Sequence, residues 1–159
     1  ILLLGAGGAA AGALGALLDA KPAALVLANR TSERAVRLVA SHRAYAKQIT
    51  PGCRLEAATL LDLPQLGAFD VIINATSSSL DGEALHLPPT LLAPSALVYD
   101  MMYGKAAQGF LQAAQAMGAQ TRDGLGMLVE QAAEAFFFWR GLRPKTAPVL
   151  QTLLAELPQ

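Results

Sequence analysis

The chain runs Ile1-Leu-Leu-Leu4 directly into Gly5-Ala-Gly-Gly-Ala9, and a second apolar run, Leu25–Ala28, ends in Asn29-Arg30-Thr31 with Arg34 one helical turn later. Both patterns suit the binding of phosphate groups. In a strand–turn–helix the first glycine permits a tight turn and the second lets a pyrophosphate reach the backbone. A small third residue then lets the helix pack on the strand. Gly5 and Gly7 fit the first two places, and Ala10 is a permitted residue at the third. Amide N–H groups from about Gly8 onward would face an anion with the helix dipole behind them.

The end of the second strand separates the two nicotinamide coenzymes. An NAD site places Asp or Glu there to accept hydrogen bonds from the ribose 2′-hydroxyl, and that carboxylate would repel a 2′-phosphate. Asn29, Arg30, Thr31 and Arg34 stand here instead. Guanidinium offers forked donors suited to phosphate oxygens, and its charge is independent of physiological pH. Hydrogen bonds to charged groups contribute roughly 1.5–3 kcal/mol, so loss of Arg30 is expected to weaken NADP binding by about one to two decades and leave NAD nearly untouched. The bland alternatives are a turn that only serves packing and arginines that are ordinary surface charges. The first fits less well, because a strand pattern precedes the turn and a helix pattern follows it.

The elements that must position these residues alternate. Ile1–Leu4 reads as a strand buried on both faces and Gly8–Ala20 as a helix with small residues toward a sheet. Leu25–Ala28 is a second strand, Ser32–His42 a helix with Arg34 and Arg37 outward, and Arg54–Ala58 a weak third strand. Asp70–Asn74 and Ala96–Asp100 are further strands, the first rich in β-branched residues, followed by a helix at Ala106–Met117 and a short strand at Ala119–Arg122. Pro88, Pro89 and Pro94 mark a loop within the domain. Leu125–Arg140 and Ala147–Leu157 are successive helices, the second with Thr146 as N-cap and Leu150, Leu153, Leu154 and Leu157 on one stripe. The expected fold is a Rossmann-like, doubly wound α/β domain: a mostly parallel six-stranded sheet with helices on both faces, plus two C-terminal helices.

Bulk properties narrow the function classes. A length of 159 residues suits one domain with its own core. Twelve basic and twelve acidic residues balance, which argues against a general nucleic-acid or anionic-membrane surface but allows one local cationic pocket. The single cysteine, Cys53, excludes an internal disulfide and agrees with a reducing compartment. No apolar run reaches the roughly twenty residues of a membrane span. The opening residues lack the basic segment of a signal peptide, so a cytoplasmic setting is expected. The chain opens at Ile1, already inside a strand pattern, so a preceding N-terminal part is expected elsewhere; the hydrophobic content of 53% agrees in sign.

Other reactive side chains carry less. Ser77, Ser78 and Ser79 lack a Gly-x-Ser-x-Gly elbow and read as a hydroxyl-rich turn. His42 and His86 have no second ligand at metal spacing and read as structural, and Lys105 as a solvent-exposed loop charge. Gly124, Met127 or Leu128, and Gln131 share a helix face by spacing. On spacing alone Gln131 reads as a solvated position beside Glu130 and Glu134, and Tyr103 divides evenly between core and site.

Taken in order, Gly5-Ala-Gly-Gly-Ala9, Asn29-Arg-Thr-x-x-Arg34, Asn74-Ala-Thr-Ser-Ser78, Asp100-Met-Met-Tyr103 and Asp123-Gly-Leu-Gly-Met-Leu-Val-x-Gln131 resemble the shikimate dehydrogenase family over nearly the whole chain. The resemblance implies NADPH-dependent reduction of 3-dehydroshikimate to shikimate, in the route to aromatic amino acids. It assigns Gly5, Ala6, Gly7, Gly8 and Ala9 to the pyrophosphate of NADP, and Asn29, Arg30, Thr31 and Arg34 to its 2′-phosphate end. Thr76, Ser77, Met101 and Gly124 would lie near the nicotinamide, and Tyr103 and Gln131 would contact the substrate. Residues 1–123 would form the NADP domain, and 124–159 the helices packing back toward the protein's own N-terminal substrate domain. That domain would hold the catalytic Lys and Asp, with no catalytic residue and no metal site in this chain. A quinate/shikimate dehydrogenase of broader specificity and a non-catalytic NADP-binding module are the alternatives, and the resemblance is compatible with a homodimer. Two positions depart from the family pattern. Ala11 replaces a common basic residue, and Met102 one that is often aromatic.

Overall fold

The structure is a computed structural model that describes residues 1–76 and 85–156. In chain order these form β1 (Leu2–Leu4), α1 (Gly8–Asp19), β2 (Ala24–Asn29), α2 (Ser32–Ile49), β3 (Arg54–Thr59), β4 (Phe69–Asn74), β5 (Leu92–Asp100), α3 (Lys105–Ala116), β6 (Gln120–Arg122), α4 (Leu125–Arg140) and α5 (Thr146–Glu156), with short 3-10 turns at Leu60–Gln65 and Pro89–Leu91. The strands make one six-stranded sheet in the order β3-β2-β1-β4-β5-β6, and every pairing is parallel. The expected doubly wound architecture is present.

Alternation along each strand divides the core in two. Leu2, Leu4, Val26, Ile72 and Val98 point to one face, where Phe110 and Ala114 of α3 cover them. Leu3, Leu25, Leu27 and Ile73 point to the other, under Leu14 and Leu18 of α1 and Val39 and Ala46 of α2. A strand covered on both sides has no solvent face to mark with polar residues, which is why β1 and β2 read as unbroken apolar runs.

Several boundaries differ from expectation. α2 runs on to Ile49 rather than ending near His42, because buried Ala46 continues the stripe begun by Ala35 and Val39 and no breaker intervenes before Pro51. β5 starts at Leu92 and so contains Pro94, where a loop was expected. The pairing jumps from Phe69↔Leu92 to Val71↔Leu97, so Pro94 lies in a bulge, where its missing N–H breaks no ladder. Ser95 in the same bulge has φ +62°. The 3-10 turn at Leu60–Gln65 was not anticipated; a reciprocal cap between Thr59 and Asp62 starts it. Lys105 is the first residue of α3 rather than a loop residue, and Thr146 opens α5 as part of the helix. Leu150 and Leu153 are half-buried and Leu154 is exposed, while Leu157 lies outside the described residues. No helix among the described residues is long and apolar enough to cross a membrane.

Candidate functional site

The register lines up the strand ends. Leu4 pairs with Ala28 on one side and Asn74 on the other, and Asn74 pairs with Asp100. The ladder continues one residue further: Gly5 N–H donates to Ala28 O (2.8 Å), Ala75 N–H to Leu4 O (2.8 Å) and Met101 N–H to Asn74 O (2.9 Å). Strand order reverses between β1 and β4, and ligands of open α/β sheets bind in the crevice outside the strand ends at such a point. The predicted residues therefore leave the sheet along one edge.

Gly5 turns the chain from β1 into α1 with φ +104°, and a Cβ there would lie 2.8 Å from the Ala75 carbonyl oxygen. Both constraints demand glycine. Gly5 is buried, whereas Gly7, Gly8 and Ala9 are exposed and Ala6 is half-buried. Gly7 is the N-cap of α1; no side chain caps that end, and its first turn holds no acidic residue. The amides there are left for an external acceptor, and the helix dipole favours an anion. Ala10, fully buried, keeps α1 close to the sheet.

The link from β2 to α2 is folded on itself. Asn29 Nδ2 donates to Thr31 O at 2.9 Å, and Arg34 N–H donates to the same carbonyl at 3.2 Å. Arg30 and Thr31 are exposed on that link. A cleft of about 550 Å³ separates the starts of α1 and α2, bordered by Ala6 and Gly7 of the glycine turn, Gly8 and Ala11 of α1, and Arg34 and Arg37 of α2. The structure thus joins the glycine turn to Arg34. Arg37, with Ser41 behind it, was not foreseen as a site residue; the available signal was its spacing of three from Arg34, which puts both on one face.

Asn74 and Asp100 form a buried pair that the sequence shows only as two polar strand ends. Asp100 is fully buried; it accepts from Asn74 Nδ2 at 2.9 Å and from Met102 N–H at 2.8 Å. Asn74 Oδ1 accepts from Thr76 N–H (3.0 Å) and Thr76 Oγ1 (2.7 Å). This chain of bonds orients Thr76 at one strand end and Met101–Met102 at the next. Burial raises the Asp100 carboxyl above its ordinary range, against the opposing effect of its hydrogen bonds from Met102 and Asn74. Ser77 lies outside the described residues, as do Ser78 and Ser79.

Met101 and Gly124 meet directly. A Cβ on Gly124 would fall 2.1 Å from the Met101 carbonyl oxygen, and Gly124 N–H donates to Met102 O at 2.8 Å. Asp123 completes the clasp, accepting from Gly104 N–H at 3.3 Å and Leu125 N–H at 3.2 Å. The β5–α3 loop is thereby held to the start of α4. Tyr103 projects from that loop with 41% of its surface exposed, and Gln131 is exposed two turns along α4. Both side chains are thus open to solvent.

These features fit a dinucleotide: a glycine cradle that a Cβ would fill, an uncapped helix N-terminus, and guanidinium groups beside it. Comparison with known proteins agrees. The family model "Shikimate / quinate 5-dehydrogenase" matches residues 1–81, and "Shikimate 5'-dehydrogenase C-terminal domain" matches residues 124–154. A curated relative from Acidovorax ebreus (strain TPSY), named shikimate dehydrogenase (NADP(+)), is 56% identical over 158 residues, covering 99% of this chain and 54% of the relative. Among solved structures, an Ael1 enzyme from Pseudomonas putida is 42% identical with a TM-score of 0.78, over 96% of this chain and 53% of that one. Shikimate 5-dehydrogenase from Thermus thermophilus, in complex with NADP(H) and shikimate, is 31% identical with a TM-score of 0.71, over 94% and 52%. The chain spans about half the length of the curated relatives it matches.

Proposed function

This chain belongs to the shikimate/quinate 5-dehydrogenase family, and from that premise we propose that it is the coenzyme-binding half of an NADP-dependent oxidoreductase that interconverts 3-dehydroshikimate and shikimate. The observation that carries the proposal is the cleft in which the uncapped start of α1 meets Arg34. Gly5 to Ala9 hold the pyrophosphate through backbone amides. Asn29 shapes the β2–α2 link, so that Arg30, Thr31 and Arg34 receive the 2′-phosphate. Thr76, Ser77, Met101 and Gly124 shape the nicotinamide end.

Bound NADPH supplies the hydride for the substrate's carbonyl carbon, while a proton must reach the carbonyl oxygen. In this chain Tyr103 and Gln131 orient the substrate, and the clasp from Met101 to Gly124 fixes the wall it lies against. The proton is assigned to a lysine and an aspartate of the substrate domain. Residues 1–123 form the coenzyme domain in this reading, and 124–159 pack against the substrate domain. Exposed apolar surface supports that division: Phe138 is 86%, Trp139 75% and Leu142 67% exposed near the end of α4, an arrangement suited to an interface core. The cytoplasmic setting expected from the sequence belongs to the same reading.

The test is steady-state kinetics on the full-length protein containing this chain. Shikimate oxidation with NADP is expected to exceed that with NAD more than tenfold in kcat/KM, and Arg34→Gln to remove most of the difference. Equal use of both coenzymes would overturn the assignment, and faster turnover of quinate than of shikimate would favour the broader-specificity enzyme. Residues 1–159 alone are expected to bind NADP and turn over no shikimate.

A further inference from the structure

We propose that Arg37 is a third cationic determinant of NADP selectivity, contacting the 2′-phosphate from α2 across the cleft from Ala11. The proposal rests on the nucleotide reading of that cleft. Arg34 and Arg37 both border it, and their spacing places them on one face of α2. From α1 the cleft receives only backbone and small side chains, Ala11 among them, which bring neither charge nor side-chain donor. No carboxylate borders it among the described residues. The described ion pairs, Arg54 with Glu56 and Arg143 with Glu134, lie elsewhere, so neither Arg34 nor Arg37 is neutralised by a described acidic partner.

The chemistry of a phosphate monoester matches this arrangement. It carries between one and two negative charges near neutral pH and presents three acceptor oxygens, more than one guanidinium edge satisfies. A second guanidinium one turn along the same helix can take an oxygen that Arg34 leaves, and the charge-free Ala11 side gives the ester room. NAD has no such group. Arg37 should therefore discriminate between the coenzymes rather than bind both.

The experiment is titration calorimetry on the full-length protein with NADP and with NAD. Because Arg37 is exposed and partly screened by solvent, Arg37→Gln is expected to raise the Kd for NADP by roughly 5- to 10-fold and leave that for NAD within about twofold. Adding Ala11→Arg to that variant is expected to recover at least half of the lost affinity, since the charge re-enters the same cleft from α1. Arg34→Gln serves as the reference. If it weakens NADP binding while Arg37→Gln changes nothing, this proposal is wrong and the nucleotide reading stands. Equal weakening of both coenzymes by Arg37→Gln would place Arg37 on the shared pyrophosphate and also overturn the proposal. If the unsubstituted protein binds both coenzymes alike and neither variant matters, the nucleotide reading itself fails.

Discussion

Replacing Gly124 with alanine tests whether the wall of the site is held by backbone contact. The new methyl carbon would sit 2.1 Å from the Met101 carbonyl oxygen and 2.6 Å from its carbon. The oxygen would be more than 1 Å inside ordinary contact, which begins at 3.4 Å. Neither side can yield cheaply. Met101 is tied to β4 through its N–H to Asn74 O, and Gly124 is tied to Met102 O. Overpacking of this kind costs about 1–3 kcal/mol and occasionally more, and a clash with backbone on both sides belongs at or above the upper end. Since φ at Gly124 is −80°, no conformational penalty confuses the comparison. Urea unfolding of the full-length protein should therefore show a loss of about 3 kcal/mol. Relief by separating Met101 from α4 by about 1 Å should also lower kcat/KM by about 10²-fold, the usual scale for such misplacement. Gly15→Ala is the control: nothing lies within 4 Å of its Cβ position, and in a helix interior it should stabilise by roughly 0.5–1 kcal/mol. A Gly124→Ala protein with an unchanged unfolding midpoint and unchanged kinetics would refute the clasp.

Other substitutions address the remaining parts. Gly5→Ala must adopt φ +104° and meet Ala75 O at 2.8 Å; a loss of about 2–4 kcal/mol in urea unfolding is expected from the two effects together. Asp100→Asn turns one buried acceptor into a donor facing Asn74 Nδ2, for a cost of about 1–3 kcal/mol in thermal or urea unfolding at neutral pH. Burial raises the Asp100 carboxyl in the folded state, so its stabilising contribution grows as pH falls through that raised value and is complete below the unfolded one. The gap between wild type and Asp100→Asn should accordingly widen as pH falls from neutral toward the ordinary carboxylate range, and a narrowing would reject burial as the dominant cause. Asp62 has the opposite sign. The Thr59 N–H and hydroxyl hold its carboxyl below the ordinary range, so it stabilises at neutral pH and loses that effect as pH falls through the lowered value. The melting-temperature difference between wild type and Asp62→Asn should shrink toward pH 3.

How much of this was legible in the sequence depended on whether one element or two were needed to see it. β1 and β4 could be read from their residues because burial on both faces leaves an apolar run with no competing pattern. The far end of α2 could not, since between His42 and Ile49 its one buried residue is Ala46, flanked by exposed ones. Pro94 misled because proline normally ends a strand, and only the pairing with β4 reveals the bulge that accommodates it. At the candidate site, the turn at Gly5 has a local cause and was anticipated as one. The tightness around Gly124 has its cause in Met101, on a loop distant in sequence, and the glycine alone does not disclose it. Arg37 looked like any solvated helix charge until α1 was placed beside α2.

The same distinction bears on how such a site can vary. The glycine turn, the Asn74–Asp100 pair and the Met101–Gly124 clasp are fixed by strand register and backbone approach, so each tolerates almost no substitution at its own position. The cationic lining is different. On the proposed nucleotide reading, a phosphate in the cleft between α1 and α2 would sense charge and donors arriving from either helix, and a guanidinium on a long side chain can reach it from more than one Cα. On that reading Ala11 leaves the charge to be supplied from α2, by Arg34 and Arg37. The same reading makes the arginine inventory of the cleft, counted over both helices, the quantity to vary when coenzyme choice is tested.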